Sequence, residues 1–236
     1  MLKDKTMMGG IALLFVGVAI ALGLWVLLLQ TSDDAIQPIS SEPITSDIVS
    51  SGVDATVDFV TFEIAQAESE ARYSLGELLR GQPKTVVGST NQVAGQLIVN
   101  LNELASTEVG LIRINTWTLL TDNNLRNNAI RSRILFTDEF EFITFNPTEI
   151  SGLPDRAAVG EPVTFEMTGE LTIKDVTQVE TFVVTAVAPT PSRLEGSATA
   201  TILRDTYQLV VPNVSSVANV DEEVVLEIDF VALPLP

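Results

Sequence analysis

The sequence predicts a mainly β protein. Roughly nine or ten antiparallel strands close into a barrel or pair as a sandwich, with one short helix among them and a single membrane-spanning helix ahead. Three observations predict this. Residues Met7 to Leu29 carry no charge at all. Beyond about Ala55, apolar and polar residues alternate with period two, the pattern of half-buried strands. Nowhere does a strand–helix–strand rhythm appear, which sets a parallel sheet aside.

The elements follow in chain order. Residues 1–6 form a short N-terminus expected in the cytoplasm. The apolar run 7–29 would rise about 34 Å as a helix, enough for a hydrocarbon core of about 30 Å. Lys3 and Lys5 precede it, while Asp33, Asp34, Glu42 and Asp47 follow with no Lys or Arg until Arg72. The positive flank stays cytoplasmic, so the rest of the chain is expected outside the cytoplasm at the cell membrane. A cleaved signal peptide with Ala19-Ile20-Ala21 as its small-residue site is the rival reading. Residues 30–53, rich in Ser, Thr, Pro and Asp, read as a flexible linker.

The domain spans 54–236. Its clearest strand runs from Val163 to Lys174, with Val163, Phe165, Met167, Gly169, Leu171 and Ile173 on one face and Thr or charged residues on the other. Leu194, Gly196, Ala198, Ala200 and Ile202 repeat the pattern, as do Leu226, Ile228, Phe230 and Ala232. Further strands are expected at 57–64, 71–79, 93–101, 110–120, 140–145 and 179–187. Asp122 to Leu135 breaks the alternation: Leu125, Ala129, Ile130 and Ile134 fall at helical spacing behind Asn residues suited to capping. The small inward residues Gly169, Gly196, Ala198 and Ala200 fit either an interior left open for a ligand or large neighbours needing room.

Composition excludes several function classes. The net charge is −18, with 13 basic against 31 acidic residues. A phosphate backbone would be repelled, so nucleic acid is not a partner. The sequence has no Cys and no His. Disulfides, thiolate nucleophiles, His-based hydrolases and His-ligated zinc or haem are thereby absent. No catalytic residue, metal or cofactor is implied. Arg126, Arg131 and Arg133 form the one dense basic cluster. It suits a phosphate-bearing head group, or simply a solvated helix pairing with Asp122, Asp138, Glu139 or Glu141. Among the aromatics in expected strands, Phe59, Tyr73, Trp117, Phe165 and Phe182 are candidates to line a lumen, or to be ordinary core.

The second half resembles the YceI-like family of extracytoplasmic domains. Gly169 to Thr177 (GELTIKDVT) is close to that family's Gly-Asp-Leu-Thr-Ile-x-Gly-Val-Thr strand and turn. Asn123 to Leu135 is similar to its short helical segment, with Arg126 and Arg131 at the two basic positions. Phe142 to Ile150 and Ser197 to Leu209 resemble later strands, so the likeness covers about Asp54 to Leu233. Two features depart: Asn127 and Ala129 stand where the family often has Asp and His. The resemblance implies a lipocalin-like barrel that binds rather than catalyses. Its implied partner is an isoprenoid-like lipid or other long amphiphile, with Arg126 and Arg131 near the head group. A structural or protein-interaction barrel with no ligand is the alternative.

Overall fold

The computed structural model describes residues 37–44 and 59–235. The expected membrane-spanning run 7–29 and most of the linker 30–53 lie outside the described residues. Among the described residues, no helix is long and apolar enough to cross a membrane.

Thirteen strands form one antiparallel sheet. They are β1 (Val60–Ile64), β2 (Glu70–Leu79), β3 (Gln82–Thr90), β4 (Val93–Ala94), β5 (Gln96–Val99), β6 (Glu108–Val109), β7 (Ile112–Asn115), β8 (Phe142–Ser151), β9 (Val163–Ile173), β10 (Val176–Thr190), β11 (Arg193–Leu203), β12 (Val217–Ala218) and β13 (Glu223–Pro234). Strands β7, β8, β9, β10, β11, β13, β2 and β3 are neighbours in that order. Strand β4 prolongs β3 and pairs with β7 through Val93↔Ile114 and Ala94↔Arg113, so the sheet returns on itself. Closure runs through β4 and the isolated Ser89–Leu120 bridge, while the Gln82–Gly88 edge of β3 keeps β2 as its one strand partner. A single sheet curled in this way is a barrel rather than a sandwich.

The alternation read from sequence sets the faces. Met167, Leu171 and Ile173 of β9 are buried, as are Leu194, Ala198, Ala200 and Ile202 of β11. On the outer face of β9 and β10, Thr164–Thr185, Thr168–Thr181 and Thr172–Thr177 hydrogen-bond across directly paired positions. Each such cross-strand pair contributes about 0.2–1 kcal/mol. Several expected strands end elsewhere, and the one expected at 179–187 runs from Val176 to Thr190. The one expected over 110–120 stops at Asn115, because Thr116 to Leu119 turn back through a Leu119 N–H to Thr116 carbonyl bond. That expected at 93–101 is interrupted at Gly95, and that expected at 140–145 runs on to Ser151. Strand β3 was not expected at all. Its inward positions hold one large apolar residue, Val86, beside Gly88 and Thr90.

One end of the barrel is closed by the long connection from β7 to β8. It contains helix α1 (Asn124–Ala129) and a π-helical turn, Ile130–Ile134. Asn123 caps α1 as its sequence suggests, its side-chain oxygen accepting from the Leu125 and Arg126 amides at 2.9 and 3.1 Å. Ile130 and Leu135 on this segment are buried in the main core with Leu119. At the same end β2 turns into β3 through Arg80 and Gly81, both at positive φ as a two-residue I′ hairpin requires. The loop from β11 to β13 adds Tyr207 and Leu209 to that core. Arg204 holds this loop by bonds to the Leu209 carbonyl at 2.9 Å and Glu222 at 2.8 Å. A second apolar cluster, with Phe62, Val99, Leu104, Leu194 and Ala232, fills the opposite end.

Residues 38–44, within the expected linker, lie extended against the barrel wall. Ser41 Oγ accepts from the Gly95 amide at 3.1 Å, and the Ile44 amide donates to Gln96 Oε1 at 3.3 Å. The Ile44 side chain occupies the space a Cβ on Gly110 would take.

Candidate ligand-binding lumen and its capped end

Because inward residues from every long strand converge, the lumen is apolar throughout its central section. A void of ≈ 80 Å³ remains there, walled by Tyr73, Ile114, Phe145, Met167, Leu171, Phe182 and Leu226, among others, with Leu119 of the capping segment. This is well below the roughly 300–1,000 Å³ of sites that enclose drug-sized ligands. Aromatic rings take much of the space, each lying over a glycine on the next strand. A Cβ on Gly88 would fall 2.3 Å from Tyr73 Cε1; one on Gly169 would meet Phe145 Cζ at 2.8 Å, and one on Gly196 Phe230 Cζ at 2.7 Å. Gly169 and Gly196 therefore make room for large neighbours. Ala198 lies in the wall of the void itself. Phe145 and Phe182 meet edge to face, ring centres 4.9 Å apart.

The five aromatic candidates separate. Tyr73 and Phe182 line the void. Phe165 packs against the same core without lining it. Trp117 lies in the turn after β7 and is 45 % exposed, so it faces out rather than in. Phe59 precedes β1 half-buried, away from the void. Phe145, outside those five, lines the void as well. Period two already placed Met167, Leu171, Leu226 and Ile228 on the inward faces, and all four line the void.

The two arginine candidates also differ. Arg126 Nη2 reaches Glu77 at 2.8 Å and its Nη1 reaches Asp122 at 2.7 Å. Asp122 is shared with Lys84 at 2.6 Å. The Glu77 side chain is only 6 % exposed, so Arg126 holds an otherwise buried carboxylate. Tyr73 is close enough to feel both: burial pushes its hydroxyl up to about 12, Arg126 opposes the rise and Glu77 adds to it. Arg131 instead lies over the Trp117 ring, 4.5 Å from its centre, and donates from Nε to the Trp117 carbonyl at 3.0 Å. Among the described residues Arg131 has no ion-pair partner. One polar contact inside was not foreseen. The Tyr207 hydroxyl donates to Glu180 Oε1 at 2.8 Å, and burial first, then this carboxylate, push the Tyr207 pKa far up.

Residues 62–232, which make up nearly all of this antiparallel barrel with its apolar lumen and helical cap, match the model of the YceI-like domain. The chain belongs to the YceI-like family. Two solved structures share the fold of this YceI-like domain. BcnA of Burkholderia cenocepacia is 17 % identical with a TM-score of 0.56, over 71 % of this chain and 98 % of that one. A domain from Saccharophagus degradans, described as polyisoprenoid-binding and implicated in plant cell wall breakdown, is 13 % identical with a TM-score of 0.57, over 76 % of this chain and 100 % of that one. No functionally curated protein matches the sequence.

Proposed function

We propose that this YceI-like barrel is a binding protein that takes the apolar chain of an isoprenoid-like lipid into its lumen. The observation that carries the reading is the closed barrel's apolar central void, bounded by side chains with no catalytic constellation among them. Burying each methylene is worth about 0.8 kcal/mol, so such a wall selects for chain length and apolarity without special chemistry. The polyisoprenoid-binding description of the Saccharophagus degradans domain supports the same class of ligand. A chain lipid needs more than ≈ 80 Å³, so loading requires the rings of Tyr73, Phe145 and Phe182 to turn aside. Arg131, stacked but without an ion-pair partner among the described residues, is the better placed head-group contact. Arg126 would have to leave two carboxylates. The run 7–29 and its charge flanks support a single-pass anchor with the barrel outside the cytoplasm.

The test is to purify the full chain from its native membranes in mild detergent and extract it with solvent. Mass spectrometry finding a prenyl-type lipid in stoichiometric amount is the expected result. An extract free of chain lipids overturns the proposal. The small void favours a second reading, a barrel filled by its own rings that serves as an interaction module; an empty extract would select it.

A further inference from the structure

The segment that closes the barrel is apolar on both sides. Its inner side supplies Leu119, Ile130 and Leu135 to the core, and Leu119 to the void's wall. Its outer side leaves Trp117, Leu120, Leu125 and Phe136 exposed, by 45, 50, 81 and 44 %. A surface helix normally turns one apolar face inward and a polar face out. Here four large apolar side chains stand exposed within twenty residues of chain. Val210 and Val214 of the β11–β13 loop, at the same end, are exposed as well.

Cations accompany the rings. The Arg131 guanidinium lies over Trp117, and Lys174 Nζ stands 5.7 Å from the centre of Phe136. Arg133 is exposed, and among the described residues neither Arg131 nor Arg133 has an ion-pair partner. Rings that bury their faces while nearby cations reach phosphates are what a phospholipid head-group layer accepts. Asp138 and Glu139 lie just past the segment, and the chain as a whole is strongly acidic. That balance suits a zwitterionic surface over an anionic one.

We infer that the outer face of the 116–136 cap docks on the surface of a zwitterionic phospholipid bilayer, placing the cap between bilayer and lumen as the lipid's entry. The entry role rests on the lumen reading; the docking does not. Phe136 closes the segment at φ 50, a left-handed conformation that a bulky residue adopts at a cost, two residues past the end of the π-helical turn.

The experiment uses the full chain carrying Trp25→Phe, which leaves Trp117 as its sole tryptophan. It is reconstituted into phosphatidylcholine vesicles with plain or brominated acyl chains. The expected result is loss of Trp117 emission in brominated vesicles. A Leu125→Asp/Phe136→Asp variant, altered only at exposed positions, should abolish that loss with unchanged circular dichroism and melting temperature. Equal emission in both vesicle types overturns docking, as does quenching that survives the variant. A spectral change that depends on protein density alone, without bromine quenching, assigns the face to a second copy or a protein and also overturns it. Chain lipid in the same preparation's extract without quenching sinks docking alone. Quenching without chain lipid sinks lumen occupancy alone.

Discussion

Adding one methyl group at two different glycines separates a wall that can yield from one that cannot. At Gly169, a Cβ would sit 2.4 Å from the Asn146 carbonyl oxygen and 2.8 Å from Pro147 Cα, both backbone of the paired strand β8. Nothing there moves without breaking the β8–β9 ladder. Gly169→Ala is therefore expected at the upper end of overpacking costs, about 3 kcal/mol, which lowers the melting temperature by about 6–12 °C in a domain of this size. At Gly88, the atoms a Cβ would strike all belong to the Tyr73 ring, at 2.3, 2.6 and 2.7 Å. That ring borders the ≈ 80 Å³ void and can tilt into it. Gly88→Ala should cost about 1 kcal/mol or less, while shrinking the space open to a ligand. Thermal unfolding of the two variants by differential scanning calorimetry, with chain-lipid binding measured alongside, reads both effects. Equal destabilisation at the two sites, or a Gly88→Ala protein that binds lipid as well as the parent, would refute the claim that Tyr73 moves into the lumen.

Other outcomes follow from the same geometry. Arg126→Ala leaves Glu77 buried without its cation and should destabilise by about 3 kcal/mol, whereas Arg131→Ala should stay near 0.5 kcal/mol; paired denaturant titrations compare them. Asn123→Ala removes the acceptor of two amide bonds at the start of α1 and should cost about 1 kcal/mol, read as faster amide exchange over 124–135. The folded state keeps the Tyr73 and Tyr207 hydroxyls protonated above the ordinary value of about 10, so the unfolded chain binds fewer protons between pH 10 and 12. Stability should then be intact below pH 10 and fall by about 1.4 kcal/mol per pH unit for each tyrosine above it. Tyrosinate absorbance that rises only as the protein unfolds is the expected trace, and a reversible rise near pH 10 in folded protein would contradict it.

The sequence made some of this fold legible and hid the rest for physical reasons. Strands β9, β11 and β13 could be read residue by residue because one side faces water and the other an apolar interior. Strand β3 could not: Gly88 faces inward because Tyr73 needs its space, and a glycine carries no hydropathy signal. Whether Gly169 and Gly196 open the lumen or seat a ring depends on which residue stands across the ladder. That register is fixed by turns and bulges rather than by local pattern. Trp117 looked like strand because Ile112 to Leu120 is rich in β-formers; the turn is set by Thr116, whose hydroxyl donates to the Phe140 and Glu141 carbonyls far along the chain. The arginine cluster was visible, yet the difference between Arg126 and Arg131 was not. It arises from Glu77, 49 residues away, becoming buried beneath one of them.

Met167 is the sole methionine past the leading apolar run, and it borders the void. Its ε-methyl is thus a reporter placed inside the lumen. With carbon-13 methyl-methionine labelling, titration of the full chain in detergent with a polyprenyl phosphate should move that one resonance saturably and leave those of Met1, Met7 and Met8 in place. A Met167 signal that does not respond at any ligand concentration would contradict lipid entry into the barrel.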